Sequence, residues 1–259
     1  MKGKPLGFIG AGRVTRIILG GFQRKGLAFA EIIVSDAQLE NISALQAKCP
    51  TFHLTVGDNS RVAKAEIVFL ALHPPALPAV LEEIKVSLAA KTIIVSLAPK
   101  VSMAQISGML GGFARIARMI PNAPAVVNSG YNPIAFSGGL GKDDRESLLE
   151  LLSPLGEVPV VAEESLEAYA VLAAMGPTYF WFQWQELESI GERLGLKPGE
   201  ARAALSAMVT GAEKTYFHSG LKAVEVMDLI PVRPLKDDEQ EIRAKFRQRL
   251  EALHAKIKP

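Results

Sequence analysis

The sequence predicts an α/β domain of the doubly wound class followed by an all-helical one, and three observations lead there. From the N-terminus to about Val161, short runs rich in β-branched residues alternate with amphipathic segments. Most of these runs are apolar throughout, as expected of strands covered on both faces. Past Val161 they stop, and long stretches of helical periodicity replace them. The expected division is residues 1–161 and 162–259.

Eight strands are expected in the first part: Leu6–Ile9, Ile32–Ser35, Phe52–Val56, Ile67–Leu72, Thr92–Leu97, Ala114–Met119, Ile134–Phe136 and Val158–Val161. The second part reads as helices over Leu166–Ala174, Pro177–Leu194, Pro198–Ser219 and Glu239–Lys256. Gly195 and Gly220 stand where helix C-terminal glycines belong, and Pro198 suits the first turn of the helix it opens. The segment Phe180-Trp181-Phe182-Gln183-Trp184 is apolar on nearly all sides, more than a chain of this size easily covers. A homodimer through this domain is expected, the alternative being that the rings fill an interdomain core.

Composition narrows the partners. The chain has 259 residues, with 29 Lys and Arg against 27 Asp and Glu, a net charge of +2. Such a balance gives no bulk attraction to nucleic acid or to an anionic membrane, so a small-molecule partner is expected. The single cysteine, Cys49, rules out an intrachain disulfide and has no neighbours for a metal cluster, which points to a reducing compartment and metal-free chemistry. The apolar start is interrupted by Arg13 and Arg16, so no secretion signal is expected; no run approaches the length of a spanning helix. A soluble, cytoplasmic protein is the expectation.

The chemistry begins at Gly7-Phe8-Ile9-Gly10-Ala11-Gly12-Arg13-Val14-Thr15, a G-x-G-x-x turn between an expected strand and a helix bearing Val14, Ile17, Ile18 and Phe22 on one side. Gly10 can take the tight turn, Gly12 lets a pyrophosphate approach the backbone, and the helix start offers N–H groups and positive dipole. This is a dinucleotide-binding, Rossmann-type arrangement. Thr15 replaces the third glycine; its bulk is expected to push the helix off the strand, or its hydroxyl to meet a phosphate. At the end of the second strand, Ser35 and Asp36 fall where such folds meet the adenosine ribose. Asp36 suits the free 2′-hydroxyl of NAD(H), whereas Ser35 with Arg13 could frame the 2′-phosphate of NADP(H). A purely structural role is as well supported: Ser35 and Gln38 have the spacing of a capping box, and Asp36 is a good N-cap.

Four segments in order resemble the pyrroline-5-carboxylate reductase family. They are Gly7-Phe8-Ile9-Gly10-Ala11-Gly12; Leu70-Ala71-Leu72-His73-Pro74, similar to the family's A-V-K-P; Arg118-Met119-Ile120-Pro121-Asn122-Ala123-Pro124-Ala125, similar to R-V-M-P-N-T-P-A; and Gly176-Pro177-Thr178-Tyr179, similar to G-P-A-Y. Fainter likeness continues through Gly195-Leu196 and Gly211-Ala212-Glu213-Lys214. The resemblance implies a Rossmann domain, a helical dimerisation domain and NAD(P)H-dependent reduction of an imine. It also implies that Gly10, Ala11, Gly12, Arg13 and Val14 line the pyrophosphate, that Leu72, His73 and Pro74 lie beside the cofactor, and that Asn122 meets its nicotinamide end.

The chain departs from that family on the substrate side. The family's S-P-G-G-T-T segment, which holds the substrate, corresponds here to Met227-Asp228-Leu229-Ile230-Pro231-Val232-Arg233-Pro234-Leu235, without glycine, serine or threonine. Met175, His73, Ala123 and Gln185 also differ from the family's usual residues. The expected substrate is therefore an imine or related carbonyl of a small acid, with proline synthesis not expected. A dinucleotide-binding redox sensor, or a degenerate paralogue without turnover, is the alternative. A β-hydroxyacid dehydrogenase is disfavoured, because Leu166–Leu187 lacks the lysine and asparagine that family would need.

Two residues are candidate proton donors. His73 closes a strand before Pro74-Pro75 and has a near-neutral intrinsic pKa; a packing role against cofactor or prolines competes with it. Tyr179 opens the first long helix of the second domain, where its phenol could donate a hydrogen bond or simply pack. Arg233, framed by Pro231 and Pro234, could bind a carboxylate in place of the absent loop.

Overall fold

The computed structural model describes residues 5–259, which resolve into two compact units, 5–175 with 253–259, and 176–252. The first is a three-layer α/β unit. Its elements run β1 (Leu6–Ile9), α1 (Arg13–Arg24), β2 (Ile32–Ser35), α2 (Leu39–Lys48), β3 (Leu54–Val56), α3 (Asn59–Val62), β4 (Ile67–Leu70), α4 (Leu77–Ile84), β5 (Ile93–Ser96), α5 (Met103–Met109), β6 (Ile116–Met119), β7 (Gly130–Tyr131), β8 (Ile134–Phe136), α6 (Lys142–Leu152), β9 (Gly156–Glu157) and α7 (Leu166–Tyr169). Strand order in the main sheet is β3-β2-β1-β4-β5-β6-β8, parallel except for β8. This is the doubly wound Rossmann order, with the chain reversing direction between β1 and β4.

Burial explains why these runs become strands. β1, β2, β4, β5 and β6 are buried along their whole length, so apolar side chains are needed on both faces. Phe8 and Phe69 stack across β1 and β4 with centroids 4.7 Å apart. The inner face of α1 is Thr15, Ile18, Leu19 and Phe22, whereas Val14 and Ile17 are only half-buried. The apolar stripe expected from the sequence is thus rotated by about one residue. Gly21 lets α1 close onto the turn over Ala123–Val127: a Cβ there would lie 2.5 Å from the Ala125 carbonyl oxygen.

The expected strand Val158–Val161 is not one. The segment makes a single parallel bridge, Ile134 to Val160, in which the Pro159 carbonyl accepts from the Ile134 N–H (2.9 Å). Pro159 has no N–H to extend the ladder, and only the two-residue strand β9 forms before it, paired with β7. The segment after Val161 packs into the first unit, where Leu166, Glu167, Ala170 and Val171 are buried.

The unit 176–252 contains α8 (Thr178–Arg193), α9 (Pro198–His218), α10 (Ala223–Asp228) and the greater part of α11 (Glu239–Ile257). Gly195 (φ 102°) and Gly220 (φ 78°) terminate α8 and α9 in the left-handed region, as their positions in the sequence indicate. Helix α10 was not expected; Lys222 and Glu225 nucleate it, the Glu225 carboxylate accepting from the Lys222 N–H at 2.7 Å. Among the described residues, no helix is long and apolar enough to cross a membrane.

Candidate functional site

The carboxyl ends of β1, β2 and β4 leave two adjoining cavities at the point where strand order reverses, the place where open α/β sheets bind ligands. One, of about 510 Å³, is lined by residues including Gly10, Gly12, Ser35, Asp36, Leu72 and His73. The other, of about 370 Å³, is lined by Gly12, Arg13, Val14, His73, Pro74 and Pro99 among others. Both fall in the size range of small-molecule sites.

The glycine turn is shaped for close approach. Gly10 has φ 102°, and a Cβ at this position would lie 2.4 Å from the Ala71 carbonyl oxygen, so no other residue fits without moving β4's exit. Around Gly12 the space is open, with nothing within 4 Å of where a Cβ would stand. Gly12 is also the N-cap of α1 and has no side chain to cap it, so the first-turn N–H groups face the cavities with the helix dipole behind them. An anionic pyrophosphate fits this cradle.

The expected site residues separate into those that line the cavities and those committed elsewhere. Gly10, Gly12, Arg13, Val14, Ser35, Asp36, Leu72, His73 and Pro74 all line one or both. Ala11 is buried, and its N–H donates to Asp36 Oδ2 at 2.7 Å, so it shapes the turn. Thr15 corrects the sequence reading: it is fully buried and its hydroxyl donates to the Gly10 carbonyl at 2.5 Å. Lying on the inward stripe of α1, it fastens helix to turn instead of meeting a phosphate. Asn122 lines neither cavity. Its side-chain oxygen accepts from the Tyr131 N–H (3.0 Å) and its amide donates to the Ala173 carbonyl (3.4 Å), which satisfies a buried polar group with backbone.

The capping-box reading of Ser35 is also corrected. The Ser35 hydroxyl donates to Asn59 Oδ1 at 2.7 Å, and Asn59 in turn donates to Glu83 Oε2 at 2.7 Å. Asn59, Ala71, Leu97 and Pro99 line the cavities without having been singled out in the sequence. Leu97 and Pro99 follow β5, so the rule that ligands sit beyond strand ends would have found them; Asn59 opens a four-residue helix and carries no local signature.

His73 is exposed and stands at the lip shared by both cavities, just before the turn Pro74–Ala76. In the second unit, Tyr179 lies in the first turn of α8 with its ring edge-on to Phe246, centroids 5.9 Å apart. Burial pushes its phenol above the ordinary tyrosine range. Arg233 is paired with Glu239, which it shares with Arg243. The Arg243 hydrogen bond, and then the two guanidinium charges, hold the Glu239 carboxyl below its usual range.

Known proteins resemble the chain over most of its length. The chain is 28% identical over 229 residues to pyrroline-5-carboxylate reductase of Pseudomonas aeruginosa, covering 87% of this chain and 83% of that one. It is 26% identical over 230 residues to the Escherichia coli K12 enzyme of that name, covering 88% and 84%. Over most of its length the chain is similar to pyrroline-5-carboxylate reductases. The family model "NADP oxidoreductase coenzyme F420-dependent" matches residues 5–100, the stretch that builds the glycine turn and the first cavity wall. Among solved structures, the Coxiella burnetii pyrroline-5-carboxylate reductase superposes with TM-score 0.75 at 26% identity, over 98% of this chain and 97% of that one. The Plasmodium falciparum pyrroline carboxylate reductase, solved with NADP bound, reaches TM-score 0.84 at 18% identity, over 98% and 97%. That second likeness bears on the fold.

Proposed function

We propose that the protein is an NAD(P)H-dependent reductase that transfers hydride to the C=N bond of an imine, or to a related carbonyl, of a small acid. The observation that carries this reading is the glycine turn at Gly10–Gly12, opening onto cavities at the strand-order reversal, in a chain similar to pyrroline-5-carboxylate reductases. The Plasmodium neighbour, bound to NADP, supports the cofactor class. NAD(P)H supplies the hydride when bound, so the protein has to bind, orient and manage charge. The first-turn N–H groups of α1 hold the pyrophosphate, Asp36 meets the adenosine ribose, and Leu72 and Pro74 flank the nicotinamide half. His73, at the shared lip, delivers a proton to the reduced product, and Tyr179 is the second candidate donor.

The exposed rings of α8 support a homodimer through the helical unit: Phe182 is 65% exposed and Trp181 46%. The reducing-compartment reading of Cys49, which is buried, supports a cytoplasmic setting. The substrate is narrowed by the segment after α10. Leu229–Leu235 offers no hydroxyl or glycine to a carboxylate, and its one guanidinium, Arg233, is paired with Glu239.

The test is to titrate the purified protein with NADH and NADPH, then follow cofactor oxidation with pyrroline-5-carboxylate and a panel of cyclic imines and keto acids. Binding of a cofactor with turnover on at least one of them is expected. His73→Asn is expected to lower kcat by roughly 10²-fold while leaving cofactor affinity near the parent's, and Tyr179→Phe to have the smaller effect. Failure to bind either cofactor overturns the reading; tight binding without turnover favours a redox sensor.

A further inference from the structure

We infer that the cavity at the end of β2 is built for a dinucleotide whose adenosine ribose carries a free 2′-hydroxyl, NAD(H) in preference to NADP(H), with Asp36 as the discriminating residue. This rests on the reading that the cavity holds a nicotinamide dinucleotide.

The carboxylate is already in position. Asp36 is the first residue past β2, and three donors fix it: the Ala11 N–H to Oδ2 at 2.7 Å, the Gln38 N–H to Oδ1 at 2.8 Å, and the Asn41 amide to Oδ1 at 3.1 Å. Two carboxylate oxygens offer about four acceptor sites, so Oδ2 retains room for a further donor. A ribose hydroxyl can donate to it. A 2′-phosphate cannot at neutral pH, and brings negative charge against the carboxylate.

The surroundings offer that phosphate nothing in return. Among the described residues, no lysine or arginine lines this cavity; Arg13 lines the adjoining one, and Arg61 faces Glu31 at 3.6 Å. Ser35, the hydroxyl that could have helped to frame a phosphate, is 4% exposed and spends its proton on Asn59. Asn59 in turn donates to the Glu83 carboxylate. Among the described residues, the basic side chain on the wall is His73.

The experiment is equilibrium titration of the full-length protein with NADH and NADPH, followed by nicotinamide fluorescence, and calorimetry with ADP-ribose and its 2′-phosphate, which isolate the ribose contact. The parent protein is expected to bind NADH about tenfold or more tighter than NADPH. Asp36→Ser is expected to narrow or reverse that ratio, mainly by strengthening NADPH. Asp36→Asn keeps an acceptor for the Ala11 N–H while removing the charge, and is expected to raise NADPH affinity more than it lowers NADH affinity. Equal affinities in the parent, or tighter NADPH, overturn the inference and leave the reductase reading standing. Equal loss of both cofactors in both variants also overturns it, showing a carboxylate that only braces the turn. Binding of neither cofactor by the parent overturns the reductase reading first.

Discussion

The two units differ in how they meet the hydrophobic requirement. The α/β unit closes its own core: five strands are buried end to end, and Phe8, Phe22, Phe69 and Leu19 are fully shielded from water. The helical unit does not. No residue of the sixteen in α8 is buried, and only Ala201 is buried in α9, while Phe180, Trp181, Phe182, Leu194 and Phe217 stay exposed. Helices held by packing need a covered face; the α/β unit covers its own, and the helical unit leaves its apolar faces exposed.

The strongest way to break the comparison is to attack the α/β core at its buried charge. Arg118 on β6 is wholly buried and bonds Glu163 at 2.9 Å and Glu167 at 2.5 Å. Its Nε and Glu167 Oε2 have no hydrogen-bond partner, so the cluster is held by those two ion pairs. Arg118→Met should destabilise the unit by about 3–5 kcal/mol in urea unfolding, because Glu167 is left buried without a counter-charge. Adding Glu167→Leu should recover most of the loss.

Next in size is Gly10→Ala. With φ 102° and the Ala71 carbonyl in the way, it should cost about 1–3 kcal/mol of stability. Displacement of the turn should weaken dinucleotide binding by roughly a hundredfold, read by fluorescence titration. Phe182→Asp addresses the other unit. It should leave monomer stability within about 0.5 kcal/mol and weaken self-association by roughly thirtyfold or more in sedimentation experiments. An unchanged association constant would place the dimer contact elsewhere. The smallest effect is expected from Ser102→Ala, which removes the capping box of α5 and should cost about 1 kcal/mol.

The same contrast explains what was legible in the sequence. Strands β1, β2 and β8 were readable to the residue because continuous apolar runs have one good use, a strand covered on both faces. The glycine turn was readable because Gly10's geometry leaves little choice. Thr15 was misread although the signal existed: it is spaced with Ile18, Leu19 and Phe22, so helical phase turns its hydroxyl inward. Asn122 could not be read locally, since its partners Tyr131 and Ala173 come together only in the folded unit. The same holds for Asn59, whose tie to Ser35 joins the start of α3 to the end of β2. In the helical unit, periodicity showed the helices, but with so little burial it could not show which face meets what.

The central claim is that a dinucleotide lies across the two cavities, its pyrophosphate on the first turn of α1 and its adenosine ribose on Asp36. A crystal structure of the protein with NADH tests this most directly. The account predicts phosphate oxygens within hydrogen-bond distance of the N–H groups that follow Gly12, a ribose hydroxyl on Asp36 Oδ2, and the nicotinamide beside His73 and Pro74. A dinucleotide bound elsewhere, or one whose ribose turns away from Asp36 with the Ala11 contact intact, would contradict it.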